Sequence, residues 1–478
     1  MSNVKGFFAG VLCLAVLAPI SGFCSYKNKI LNIVDNPSLR GTRIGIDVQV
    51  LGSRKELFSF HSEIPLIPAS NLKILSSGCS LVSLGRDYRF TTAVLGGPME
   101  AGVMSGNLVL RGNGDPTWSS DFYPRATTPL TILAQKLKEQ GLKIIEGDLV
   151  IDDSIFSREF VGKGWKSRYQ WEDYATEIGA LSVNKNQVRV IVTPGNFIGA
   201  TPQVTFNPPN HVMKITNDAV TTNSITTLSF SRNRENNQVI IRGKIARHNP
   251  GLGITFNIHN PSLFAGSVFA EMLKDEGISL KGRVRLIESS EIGHNSHLMT
   301  LASVQSPPLL TIVHRMNKES DNFLAEHLFR TLGAARFGKG TIQNGGQAIA
   351  DCIGNLGYTE ATPTFADGSG LSDRDRVSAK TFVEVLQGIA ALPIGKEFKN
   401  TLPRGCADGT LEDRLCGVNV SAKTGAIRGV NTLSGYLITK KGETLVFSIL
   451  LNNHPGSSEY GREIIDSIVK VLANSPDV

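Results

Sequence analysis

The sequence predicts an α+β fold spread over more than one domain, and three observations carry that prediction. The chain has 478 residues, more than one hydrophobic core organises. Up to about residue 300 it reads mostly as short, turn-bounded strand runs. Beyond Ser306 amphipathic helical runs take over, before three strands and a helix close the chain.

Taken in order, Ile44 to Leu51 alternates as a strand, Gly52-Ser53 turns it, and Glu56 to Phe60 returns. This hairpin delivers the chain to Pro68-Ala69-Ser70-Asn71-Leu72-Lys73. There Leu72, Leu75, Cys79 and Val82 recur at helical spacing, and Gly85 ends the helix. Strand runs follow at Thr91-Val94, Asn107-Arg111, Gly147-Ile151, Gln187-Val192 and Val239-Arg242. Two helical stretches, about Thr131-Gln140 and Ser267-Glu276, each precede a glycine and a strand-like run (Lys143-Ile151, Ser279-Leu286). That likeness suggests a small α/β domain whose halves flank an inserted β-rich piece. Within the insert, the polar Asn217 to Asn237 reads as a loop or edge region.

Pro307-Pro308 opens a helix to about Met316, Asn322 to Leu332 forms a second, and Ser378 caps a third to about Ala391. Strands near Asn419-Lys423, Thr432-Thr439 and Thr444-Leu451 follow, the last two joined by the turn Lys440-Lys441-Gly442-Glu443. A helix from about Ser457 to Leu472 completes the chain.

The first 25 residues read as an export signal, with Lys5 for charge, Phe7 to Ile20 as the apolar core and Gly22-Phe23-Cys24 as the cleavage site. No later segment reaches the ~18 apolar residues of a membrane span, so a soluble exported protein is expected. Of six cysteines, Cys13 and Cys24 leave with the signal. Cys406 and Cys416 are expected to bridge a short loop, and Cys79 and Cys352 to be buried thiols. The nine histidines form no paired motif and the cysteine spacing no ligand set, so no metal or other cofactor is expected. The net charge of +7 suits work beside an anionic polymer or at a membrane surface. Without a basic run interleaved with aromatics, nucleic acid is not an expected partner.

The chemistry centres on Ser70 and Lys73, three apart and so on one helix face. A serine hydroxyl needs a base, and a neutral lysine can be one. The electropositive helix start is expected to lower the Lys73 pKa. The same spacing occurs at Ser2/Lys5, Ser182/Lys185 and Ser467/Lys470, so it is not specific alone. The first lies in the signal, the second runs into a strand pattern that would point the side chains apart, and the third sits in the last helix. What singles out Ser70 is the company downstream. Ser320-Asp321-Asn322 falls between two helices, and Lys423-Thr424-Gly425, which occurs once, ends an alternating run. Three motifs in this order on such elements point to serine acyl transfer.

This set resembles the penicillin-recognising serine acyl-transferases. Five further features narrow the resemblance to class C low-molecular-mass penicillin-binding proteins, which are D-alanyl-D-alanine carboxypeptidases/endopeptidases of the periplasm. They are the gap of about 250 residues after Ser70, Gly114-Asp115-Pro116-Thr117, Asp367-Gly368-Ser369-Gly370-Leu371-Ser372, Asp408-Gly409-Thr410-Leu411, and Gly429-Val430 with Ser434-Gly435-Tyr436. The resemblance implies a transpeptidase-like domain (residues 26–90 and 300–478) whose antiparallel sheet combines the N-terminal hairpin with the three late strands. It also implies an inserted α/β domain (91–181 and 262–299) and a second, β-rich insert (182–261). Ser70 would be the nucleophile and Lys73 its base. Ser320 would relay a proton to the leaving amine, and Asn322 would hold the substrate amide and Lys73. Lys423 and Thr424, with Gly425 beside them, would bind the terminal carboxylate, the Lys423 charge helping to keep Lys73 neutral. The backbone N–H groups of Ser70 and Ala426 would form the oxyanion hole. Peptidoglycan peptides ending in D-Ala-D-Ala would be substrates, and β-lactams covalent inhibitors. In the Trp165 to Asn186 segment, Asp173 is a candidate for the free amine of the stem peptide. Asp321, Asp408 and the Asp367 to Ser372 run read first as cap, turn and cleft-wall residues.

Two other classes compete. A class A β-lactamase shares the three motifs but needs a glutamate followed by Asn four residues on. Glu326, Glu360, Glu384, Glu397 and Glu412 all lack it, and the chain is far too long. A non-catalytic peptidoglycan-binding protein would not need both nucleophile and base, and both are intact.

Overall fold

The computed structural model describes residues 25–233, 235–293, 298–358 and 363–475. The export signal and the Ser2/Lys5 pair fall outside the described residues, apart from Ser25. Among the described residues no helix is long and apolar enough to cross a membrane.

The first and last parts of the chain build one five-stranded antiparallel sheet, in the order Asn419–Ile427, Val430–Ile438, Thr444–Asn452, Arg43–Val50, Glu56–Phe60. At the join Ile46 faces Ile449 and Val48 faces Phe447, all inaccessible to water. Both faces are covered, which is why Leu445 to Leu451 is almost continuously apolar. One face packs on the helices Tyr26–Val34 and Ser458–Asn474, through Ile30, Ile465, Ile468 and Leu472. The other meets Ala379–Ala390, through Phe382, Val383 and Leu386. Behind that lies Leu72–Leu84, with Leu72 through Leu81 all buried. It is preceded by the 3-10 turn Ala69–Asn71 and stopped at Gly85.

Three helices of this region were not expected: Tyr26–Val34, Ile342–Asn355 and Gly395–Thr401. In Ile342–Asn355 the glycines 345, 346 and 354 weaken the helical signal. The packing explains one of them. A side chain on Gly345 would stand 2.7 Å from the Phe329 carbonyl of the neighbouring helix Asn322–Phe337.

That close-packed helix also corrects the cysteine expectation. Cys79 and Cys352 are not free thiols but a disulfide, with Cα atoms 5.9 Å apart on Leu72–Leu84 and Ile342–Asn355. They are 273 residues apart, so the bridge depends on helix packing that local spacing does not report. Cys406 and Cys416 are bridged as expected.

Between Ser70 and Ser320 the two α/β halves lie side by side. Ile144–Ile145 pairs in parallel with Ser279–Leu280, and Leu149–Asp152 with Val284–Leu286. Their helices, Thr128–Glu139 and Pro261–Asp275, pack on this sheet. Strand Met299–Gln305 pairs with Thr91–Gly96, so this sheet runs to Gln305 and not to residue 299 as expected. The segment from 187 to 257 forms two three-stranded sheets, and Asn217 to Asn237 lies mostly in the edge strands of one of them. Val188, Val190 and Ile241 join Leu149, Phe264 and Phe269 in one continuous apolar cluster, so the two inserts share a core.

Replacing Cys79 and Cys352 together by alanine is expected to lower unfolding free energy by about 2–5 kcal/mol, since the bridge closes a long loop in the unfolded chain. Urea denaturation of the oxidised wild type and the double variant checks this.

Candidate active site

Pro68 ends an extended segment, and Ala69 then adopts a left-handed φ of +46°, turning Ser70 into the 3-10 turn that opens the helix. Lys73, in the first turn of Leu72–Leu84, is wholly buried. Its Nζ lies 3.0 Å from Ser70 Oγ, 2.6 Å from Asn322 Oδ1 and 2.8 Å from the Ser369 carbonyl. An ammonium donates to all three; a neutral amine instead accepts from the Ser70 hydroxyl, which is the geometry a base needs. Burial pushes the Lys73 pKa down to about 8, against the pull of Asp367, Asp321 and Glu326. The direction is the one expected, but the main cause is burial rather than the helix start or the Lys423 charge.

Ser320 ends the helix Leu309–Glu319 with a left-handed φ of +58°. This conformation, uncommon outside glycine, brings its hydroxyl to the cleft. Asp321 then caps the helix Asn322–Phe337 by accepting from the Leu324 amide at 3.0 Å. It also pairs with Lys185, which reaches Asp121 as well. Asn322 is thereby fixed at the first helical position, where its Oδ1 meets Lys73 and its Nδ2 donates to the Tyr174 carbonyl at 3.0 Å.

Lys423, equally buried, donates to Ser320 Oγ and to the Thr424 carbonyl, both at 2.9 Å. Burial, and then the Lys73 charge, push its pKa well below the usual lysine range. Thr424 Oγ1 lies 2.7 Å from Thr410 Oγ1. Oriented to satisfy both ends of its amide, Asn71 donates to the Lys423 carbonyl at 2.7 Å and accepts from Ser434 Oγ at 2.6 Å. Gly425 explains how the strand comes so close, because a Cβ there would stand 2.9 Å from the Ser70 nitrogen.

Ser70, Ser320, Asn322 and Ala426 line one cavity of about 520 Å³, and Ser70, Ser320, Thr424, Gly425 and Ala426 line an adjoining one of about 370 Å³. Every expected site residue except Asp173 is thus gathered around Ser70. Asp173 is exposed and lines neither cavity; the residues of that segment that do are Arg168, Tyr169 and Tyr174. The two 3-10 turns, Ser167–Trp171 and Asp173–Ala175, set which side chains of this segment reach the cleft, and sequence spacing does not report them.

The other Ser-x-x-Lys pairs are apart. Ser182 Oγ contacts His327 Nε2 at 3.1 Å while Lys185 goes to Asp321. The cause is a 3-10 turn, Asn184–Asn186, since the strand begins only at Gln187. Ser467 donates back to the Glu463 carbonyl of its own helix.

A hydroxyl beside a buried amine, a second serine beside a second buried lysine, and a sheet edge along the cleft define a serine acyl-transferase of the penicillin-recognising class. The chain matches the model of the D-Ala-D-Ala carboxypeptidase 3 (S13) family over residues 26–475 and belongs to that family of serine peptidases. It is 30% identical over 461 residues to a D-alanyl-D-alanine carboxypeptidase of Actinomadura sp. strain R39, covering 92% of this chain and 84% of the relative. To the D-alanyl-D-alanine carboxypeptidase DacB of Haemophilus influenzae it is 28% identical over 440 residues, covering 87% and 86%. The crystal structure of penicillin-binding protein 4 (dacB) from Haemophilus influenzae superposes with a TM-score of 0.75 at 24% identity, over 93% of this chain and 98% of that one. A second crystal structure of that protein carries a β-lactam.

With Lys73 at about 8, the acylation rate is expected to rise with pH through that region, because the ammonium below it cannot accept a proton and the amine above it can. Stopped-flow acylation by a chromogenic β-lactam across the pH range checks the position of the limb. Gly370→Ala is expected to cut acylation by about 10²-fold or more, the cost of a disturbed oxyanion donor. Its Cβ would stand 1.8 Å from the Ala69 carbonyl and 3.1 Å from the Ser70 nitrogen, at a φ of +79°. The same assay reads it.

Proposed function

We propose that this protein cleaves the peptide bond after a D-Ala in peptidoglycan stem peptides, either releasing a terminal D-Ala or opening a cross-link, through an acyl-enzyme on Ser70. The observation that carries this reading is the 3.0 Å contact of Ser70 Oγ with a buried Lys73 whose pKa is lowered to about 8. Ser70 Oγ attacks the carbonyl carbon while its proton passes to Lys73 Nζ. The oxyanion sits between the backbone N–H groups of Ser70 and Ala426. As the C–N bond breaks, the leaving amine takes a proton through Ser320, whose hydroxyl is coupled to Lys423. Water then attacks the ester, and Ser70 recovers its proton. Lys423 and Thr424 bind the terminal carboxylate, and Asn322 aligns the peptide amide.

The same chemistry makes β-lactams covalent inhibitors, as the β-lactam complex of the Haemophilus influenzae relative supports. Export through residues 1–25 to the periplasm agrees with the two disulfides of the described chain, a bond that forms and persists in oxidising compartments.

Intact-mass analysis with benzylpenicillin is expected to show one stable adduct on the wild type and none on Ser70→Ala. D-Ala release from a peptide ending in D-Ala-D-Ala should fall by on the order of 10⁴-fold or more in that variant. Rapid penicillin loss with no lasting adduct would identify a β-lactamase. Neither adduct nor turnover would leave a binding protein.

A further inference from the structure

Behind Lys73 lies a group of buried carboxyl groups that acyl transfer does not consume. Glu326, on the inner face of Asn322–Phe337, and Asp367 and Asp375, in the loop that follows the next helix, are all inaccessible to water. Buried acids are costly unless they are hydrogen-bonded, so their contacts indicate what they are for. Glu326 Oε1 accepts from the Gly368 and Ser369 amides, both at 2.9 Å. Asp367 accepts from the amides of Ser369, Gly370 and Ser372 at 3.1, 2.7 and 2.7 Å. It also takes the Trp165 indole N–H at 2.8 Å. Asp375 takes the Ala366 amide at 2.6 Å. Glu326 and Asp367 alone therefore receive five amide hydrogen bonds from one short turn.

The front of that turn is the wall of the reaction site. Its Ser369 carbonyl is one of the three acceptors of Lys73 Nζ, and Gly370 lies directly on the Ala69–Ser70 backbone. From the other side Ser76, one turn along the same helix as Lys73, donates to the Gly368 carbonyl at 2.6 Å.

We propose that Glu326 and Asp367 are positioning residues for the Ser70 reaction: through the 367–372 turn they hold the Ser369 carbonyl on the Lys73 amine and place two carboxyl groups behind it. This rests on the reading that Lys73 is the base for Ser70. Lys73 is faced by Asp321 and Glu326 from the helix side, Asp367 from the turn and Lys423 from the sheet edge, and Glu326 in turn by Arg330 on its own helix and by Asp367 and Asp375. Of these, Asp367, Asp321 and Glu326 favour the Lys73 ammonium and oppose the effect of burial. Burial, then Asp367, raises Glu326 itself above the usual carboxylate range, and its ionised form is the one that favours the Lys73 ammonium. Neutralising Glu326 therefore moves the Lys73 titration to lower pH. A residue that merely supported the fold would not move it.

Glu326→Gln keeps the side-chain size and an oxygen for the two amides while removing the charge. In the full-length protein its ascending limb of acylation by benzylpenicillin is expected about one unit lower in pH than wild type, the size of a nearby opposite charge. A folded Glu326→Gln variant with the wild-type limb overturns the charge role. Ser76→Ala leaves every charge in place and loosens the turn. It is expected to slow acylation about tenfold at all pH values without moving the limb, and a wild-type rate overturns the positioning role even if Glu326→Gln does not fold. Absence of any wild-type adduct would instead refute the acyl-enzyme reading itself, so the two failures are distinguishable.

Discussion

A lysine ammonium cut off from water has three protons to place, and Lys73 has three acceptors, each from a different part of the chain. Ser70 comes from the 3-10 turn that leads into the Lys73 helix, Asn322 from a helix start some 250 residues later, and Ser369 from a loop later still. Losing one acceptor would strand a buried charge, which costs more than an ordinary hydrogen bond returns. The contact therefore registers all three segments at once. It also couples registration to chemistry, because the burial that makes the acceptors necessary is what lowers the Lys73 pKa.

What the sequence revealed follows the same division between local and distant causes. Ser70, Lys73, Asn322 and Lys423 were legible because each is a side chain at a spacing or element boundary that its neighbours specify. The strands of the five-stranded sheet were legible from their apolar runs and marked turns, while their joining into one sheet was implied only by the family resemblance. The Ser369 carbonyl was not legible, since any residue supplies one and only the fold aims it. Glu326 resembles an ordinary helix residue until the inward direction of its helix is known. The Cys79–Cys352 bridge and the inward-facing Arg168 and Tyr174 depend on how separate elements pack, and no local pattern encodes that.

The insert does more than occupy the space between two motifs. Trp165 donates to Asp367, the Lys163 N–H donates to the Ala366 carbonyl while its own carbonyl accepts from the Ser372 hydroxyl, and the Tyr174 carbonyl accepts from the Asn322 amide. The cleft is therefore walled on one side by the insert and on the other by the sheet edge. Arg168 and Tyr169 line the cleft on the insert side, opposite the sheet edge.

The strand Arg43–Val50 has a further consequence for the life of the chain. Its inner neighbour, Thr444–Asn452, comes about 400 residues later in the chain. Until then the strand is an apolar edge without its partner, the kind of surface that recruits strands from other molecules. Such distant pairing also forms slowly, since a long loop closes before the contact stabilises anything. A growing or truncated chain therefore carries Ser70 and Lys73 long before it has a cleft. The cleft is completed only when Lys423, on a strand some 350 residues further on, meets Ser320.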